Sequence, residues 1–201
     1  SQYEDVYNVK ENDIVVDIGA SSGVFTNSII DKKPNSIYCL EPSKNMFECL
    51  IKNLSNSKNI TFINKGISHT SGNNSSYSTL DNIKLYGGEK DMDGVKFSKF
   101  LENNEIGFID FLKLDCEGGE YQIFTDENIE YLLNNVGCIV GEWHLAEVDE
   151  KIDFRHFRDK YLKLFKNVEV FSVDGVNIKW DLYNDHFIEY YKNVIFHISN
   201  N

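Results

Sequence analysis

From residue 14 onward, short β-rich runs alternate with stretches of helical periodicity, and this rhythm constrains the fold of the 201-residue chain more than any other feature. Strands joined through helices run parallel, and a parallel sheet needs helices on both faces to bury it. The runs are IVVDIG (14–19), SIYCLE (36–41), ITFINK (60–65), FIDFLKLD (108–115), CIVGEW (138–143), VEVFSV (168–173) and VIFHIS (194–199). The expectation is one α/β domain over residues 1–201, built on a seven-stranded, mostly parallel sheet. Between the strands, Met46, Phe47, Leu50, Ile51 and Leu54 recur at helical spacing behind Ser43, an N-cap, while Pro42 stops the preceding strand. A second helix fits Ile152, Phe154, Phe157, Tyr161, Leu162 and Phe165, opened by the acidic run Glu147 to Glu150, which suits the positive end of a helix dipole. Asp174-Gly175 marks a turn and a further hairpin. The pattern leaves the strand order open.

Composition narrows the class. Fourteen Phe and 11 Tyr are too many for a disordered chain. Lys plus Arg total 20 against 32 Asp plus Glu, a formal net charge of −12, which repels phosphate backbones and anionic lipid. No nucleic acid partner is expected. Apolar runs fall short of the ~20 residues that span a bilayer, and the opening residues carry neither a basic leader nor an apolar signal core. The expectation is a soluble, cytoplasmic protein with no membrane insertion. Cys39, Cys49, Cys116 and Cys138 form no C-x-x-C pair and have no His at ligand spacing, so they read as buried free thiols. Residues 69–94 break the rhythm with Gly, Ser, Asn and Asp; this reads as a long insert, either a substrate-facing lid or a segment without a role.

The turn after the first strand, VVDIGASSGVFT, sets Asp17, Gly19, Ala20, Ser21, Ser22 and Gly23 where an open α/β sheet binds its ligand. Its spacing is D-x-G-x-x-x-G. A dinucleotide site needs G-x-G-x-x-G and a triphosphate site needs a terminal Gly-Lys-Ser/Thr, so a ligand without phosphates is expected. The second strand ends in Glu41 and Pro42, and a carboxylate at that tip can accept both hydroxyls of a ribose. A nucleoside without phosphate fits both, and S-adenosylmethionine is one. Its amino-acid end would lie over Gly19 to Gly23, its ribose against Glu41, and its adenine near Gly66, Ile67 and Ser68 after the third strand.

The fourth strand ends in Asp115, followed by Glu117, Gly118, Gly119 and Glu120. Like charges this close repel unless a cation, a donor or a hydroxyl-bearing substrate sits among them; the alternative is a solvated helix start. The fifth strand ends VGEWH, with Glu142 and His144 on one face and Trp143 on the other. His144 therefore emerges with an acid at the ligand edge, whereas His69, His156, His186 and His197 read as structural or exposed.

Taken together, VVDIGASSGVFT, the IYCLEP strand, FLKLDCEGGEYQIF and VGEWH resemble the FkbM-type family of S-adenosylmethionine-dependent methyltransferases over roughly residues 12–145. The most specific element is K-x-D-x-E-G-x-E, matched by Lys113, Asp115, Glu117, Gly118 and Glu120. The resemblance implies a class I Rossmann-like fold and O-methylation of sugar hydroxyls on glycans, glycolipids or glycosylated natural products. The chain departs from the family where Ala-Ser-Ser-Gly replaces the frequent Ala-Asn-x-Gly.

On this reading His144, Asp115, Glu117 and Glu142 are catalytic, and Asp115 also faces the cofactor. His144 is the expected general base, oriented by Glu142 or Asp115. The acids are expected to bind acceptor hydroxyls directly; magnesium held by Asp115 and Glu142 is the less favoured alternative. Methylation of protein or nucleic acid, and a catalytically silent cofactor-binding domain, remain open.

Overall fold

The computed structural model describes residues 8–68, 93–184 and 186–200. Its main sheet contains β1 (Ile14–Ile18), β2 (Ser36–Leu40), β3 (Ile60–Ile63), β6 (Ile109–Leu114), β7 (Val136–His144), β8 (Asn167–Ser172) and β9 (Asn193–Ser199). The remaining strands, β4 (Gly66–Ile67) and β5 (Gly94–Val95), form a two-residue parallel pair of their own. Strand order in the main sheet is β3-β2-β1-β6-β7-β9-β8, parallel except for β9, which runs antiparallel to both β7 and β8. The order reverses between β1 and β6, and that switch point is where a sheet of this kind opens a ligand crevice.

Alternation along the strands explains the two layers. Val15, Ile37, Cys39, Phe111 and Val140 face one side with α1 (Val24–Ile29) and α2 (Lys44–Leu54), whose Phe25, Ile29, Leu50 and Leu54 join them in one apolar cluster. Val16, Ile18, Leu112, Leu114 and Trp143 face the other. There they meet α3 (Phe97–Asn103), α4 (Ile129–Asn135) and α5 (Val148–His156) through Phe97, Phe100, Leu132 and Phe154, with the short α6 (Phe187–Tyr190) adding Phe187 and Ile188. Helices on both faces and a seven-stranded, mostly parallel sheet are as expected from the sequence.

Several boundaries shift. The third run ends at Ile63, because Asn64 turns back to donate its side-chain amide to the carbonyls of Glu41 and Pro42. Residues 69–92 of the insert lie outside the described residues, as does His69; its last residue, Gly94, is strand and pairs with Gly66. The second helical stretch is not one α-helix. Its α5 portion is opened by a capping box between Glu147 and Glu150, then widens into a π turn at Phe157–Tyr161 and tightens to a 3-10 turn at Leu162–Leu164. Phe157, Tyr161, Leu162 and Phe165 are all buried along this stretch, so the apolar face expected from the sequence is kept through the change of helix type. The Asp174-Gly175 turn forms, with Gly175 at φ 80 and Phe171 bridging Asn177. All four thiols are free; Cys39 and Cys138 are buried and Cys116 partly so, but Cys49 is exposed on the outer side of α2.

Candidate active site

A cleft of about 350 Å³ opens at the switch point. One end is lined by Gly19, Ser21, Asp115, Cys116, Glu117 and Gly119, and the other by Pro42, Ser43, Asn45, Met46, Lys65, Gly66 and Ile67, with Glu41 among them. Gly19 is required by close approach: its φ is +76, and a Cβ there would lie 1.7 Å from the Asp115 carbonyl oxygen. Buried Glu41 bridges the two loops at the tip of β2. Its Oε2 accepts the Ser21 N–H at 2.8 Å and its Oε1 the Ser43 N–H at 2.8 Å. Burial pushes its carboxyl above the usual range, against the pull of those two bonds.

Not every residue expected at the cofactor lines this cleft. Asp17 is fully buried behind it, accepting the Thr26 hydroxyl at 2.8 Å and pairing with Lys113 at 3.0 Å. Ala20 packs into the apolar cluster beneath α1 and α2, while Gly23, at φ 88, caps α1 against Leu50 and Leu54. Ser22 gives its carbonyl to the Asn53 amide, and Ser68 is buried with its N–H on the Val95 carbonyl. These residues shape the loops while Gly19, Ser21, Glu41, Pro42, Gly66 and Ile67 form the wall. Sequence reasoning misses Ser43, Asn45, Met46 and Lys65 as wall residues; they lie at the start of α2 and after β3, where no motif marks them.

The acidic turn after β6 is bent by two consecutive left-handed residues, Glu117 at φ 52 and Gly118 at φ 94. A non-glycine residue in this region is strained by an amount on the order of 1–3 kcal/mol, a feature concentrated at functional sites. The bend aims the N–H groups of Cys116 and Gly118 at the fully buried Glu120, which accepts both at 2.9 Å. Glu120 Oε1 also lies 3.2 Å from His144 Nδ1. A carboxylate only accepts, so Nδ1 carries the proton and Nε2 faces outward, 3.4 Å from Glu117.

His144 is thus oriented by Glu120, not by Glu142 or Asp115. Glu142 is turned aside to accept the Asn193 amide at 2.6 Å from β9, and Asp115 Oδ2 lies 3.9 Å from Lys113 Nζ. Tyr121, which no motif marks either, fixes the end of β7 by donating to the His144 carbonyl at 2.7 Å. Burial disfavours a charged His144, but Glu120 first, then Glu117 and Glu142, outweigh it and raise the imidazole to about 9. Burial likewise raises the Glu117 carboxyl, with His144 opposing. Asp115, Glu117 and His144 offer donor atoms within 4.8 Å of one another, near enough to share a divalent ion; Glu142 is not in that group, so the Asp115–Glu142 pairing considered from sequence is not the arrangement found. Of the other described histidines, His197 is buried on Phe171, His186 pairs with Asp181 and His156 contacts Tyr161.

The Methyltransferase FkbM domain model matches residues 17–169, which spans the glycine turn, Glu41, the acidic turn and His144. The chain belongs to the FkbM methyltransferase family. Among solved structures, methyltransferase FkbM from Methylobacillus flagellatus KT superposes with a TM-score of 0.60 at 13% identity, over 96% of this chain and 45% of that one. An rRNA methylase from Streptococcus thermophilus gives 0.57 at 12% identity over 96% and 89% of the two chains. A Streptococcus mutans protein in complex with SAH gives 0.55 at 9% identity over 95% and 90%. At these identities the likeness is one of fold, and the fold of this FkbM-family chain is that of class I methyltransferases. Among curated proteins no match is found.

Proposed function

We propose that the protein transfers a methyl group from S-adenosylmethionine to an acceptor hydroxyl, and that the acceptor is a sugar of a glycan, glycolipid or glycosylated natural product. The observation that carries this reading is the buried Glu120–His144 pair, whose Nε2 faces Glu117, a residue that lines the cleft. A protein that only held the cofactor would have no use for a buried, oriented imidazole beside it.

Glu41 has one N–H bond on each oxygen, and each oxygen keeps a lone pair for a ribose hydroxyl. Gly66 and Ile67 would flank the adenine. The Gly19 carbonyl and the Asp115 carboxylate, both acceptors, suit the α-ammonium of the methionine end. The acceptor hydroxyl then attacks the sulfonium methyl in line; the C–S bond breaks, its electron pair goes to sulfur, and S-adenosylhomocysteine leaves. His144 Nε2 takes the hydroxyl proton, with Glu117, 44% exposed, free to swing aside and bind a neighbouring hydroxyl. Alignment of oxygen, methyl and sulfur supplies much of the rate, because the sulfonium already carries its leaving group. Direct binding of hydroxyls by Asp115 and Glu117 is preferred over a shared metal ion, since the Glu117–His144 contact already offsets part of their charge.

RNA methylation, the kind of activity that the Streptococcus thermophilus rRNA methylase is named for, fits less well with a formal net charge of −12. The test is incubation with methyl-labelled S-adenosylmethionine against free sugars, glycolipids, RNA and peptides. Label in a sugar ether with release of S-adenosylhomocysteine is expected. Cofactor binding without turnover on any acceptor would make the protein a binding domain, and label in RNA would overturn the acceptor class.

A further inference from the structure

Lys113 lies in the interior of β6, with its side chain only 4% exposed, and is the register partner of Asp17 on β1. It does not line the cleft. Its Nζ donates to the Gly19 carbonyl at 2.7 Å, pairs with Asp17 Oδ1 at 3.0 Å and lies 3.9 Å from Asp115 Oδ2. The ammonium therefore touches both loops that form one end of the cleft. Those loops already abut, with the Asp115 N–H donating to the Ile18 carbonyl at 3.1 Å. In charge terms Lys113 sits between the buried Asp17 and Asp115, which lines the cleft. Breaking such a buried pair by removing one partner leaves an uncompensated charge, which shifts whatever backbone it holds.

We infer that Lys113 is a positioning residue for the cofactor's amino-acid end, its ammonium fixing the Gly19 carbonyl and the Asp115 carboxylate as the receptor for the α-ammonium. This rests on the cofactor assignment above. It goes beyond it in giving a role to a residue that touches neither cofactor nor acceptor.

The test uses calorimetry with two ligands: S-adenosylhomocysteine, and methylthioadenosine, which keeps the adenosine and lacks the amino acid. Lys113→Met alone strands Asp17, so the informative protein is the Asp17→Asn/Lys113→Met double variant, which removes the strut without leaving a buried charge. Expected is a fall of about tenfold or more in S-adenosylhomocysteine affinity, the size of a charged hydrogen-bond loss, with methylthioadenosine affinity held within about twofold. An equal fall for both ligands would make Lys113 a general structural element, and no fall for either would leave it without the role; both overturn the inference. On the unaltered protein, the deaminated analogue of S-adenosylhomocysteine should bind about tenfold more weakly than the parent, and equal binding also overturns it. Failure of the cofactor assignment looks different, since the unaltered protein would then bind neither nucleoside.

Discussion

The Glu120–His144 pair yields the sharpest prediction, through the substitution Glu120→Gln. His144 is raised from 6.5 to about 9, so at pH 7 only about one molecule in a hundred holds the neutral imidazole that can accept a proton. Burial opposes the rise, and Glu120 is its foremost cause, ahead of Glu117 and Glu142. Replacing Glu120 by a neutral amide should lower the His144 value by about one pH unit or more, moving the alkaline rise of kcat/KM down by the same amount. The stability consequence has a definite sign. A group raised in the folded state contributes fully below its unfolded value near 6.5 and loses that contribution as pH climbs through about 9. At about 1.36 kcal/mol per unit, the rise corresponds to about 3 kcal/mol for this nearly buried ring. The unaltered protein should therefore lose on the order of 3 kcal/mol between about pH 6 and 10 from this group, and the variant distinctly less. A separate, pH-independent loss of about 1–3 kcal/mol is expected because the Gln nitrogen cannot accept the Gly118 N–H. NMR titration of the His144 ring, kcat/KM profiles and urea unfolding across pH measure all three. A His144 that titrates near 6.5 in the unaltered protein, or a variant whose alkaline limb stays where it was, would refute the reasoning.

Replacing His144 with Ala should lower kcat by about 10²- to 10⁴-fold with cofactor affinity nearly intact; a rise in KM alone would make it a binding group. Glu41→Ala should weaken cofactor binding by about 1.5–3 kcal/mol in calorimetry, and unchanged affinity in folded protein would remove the ribose contact. Direct hydroxyl binding by Asp115 and Glu117 predicts turnover that survives a chelator and gains nothing from added magnesium or manganese. Gly141→Ala would place a Cβ 2.1 Å from the Leu114 carbonyl oxygen, so β6 and β7 must separate; a loss of about 3 kcal/mol or more in urea unfolding is expected, with both ends of the site loosened.

The chain's own periodicity determined which segments are strands, which faces of them are apolar and which turns lie at the ligand edge. Those properties depend on neighbours within a few residues. The glycine turn, Glu41 at a strand tip and the acids after β6 were legible for that reason, as was Ser43 as the cap of α2, where its hydroxyl accepts from Met46. Pairings that join distant segments were not. Glu120 and His144 are 24 residues apart and meet only because β6 and β7 are parallel neighbours whose ends lie side by side. Asp17 and Lys113 are 96 residues apart in numbering and meet only through strand register, so a motif lysine had no partner until β1 and β6 were paired. Glu142 emerges on the face that strand alternation assigns to it, yet the insertion of antiparallel β9 beside β7 supplies Asn193 and turns the carboxylate away. Local sequence sets what each side chain can do, but the order in which strands assemble is a non-local choice, and that choice decided which of the acids holds the histidine.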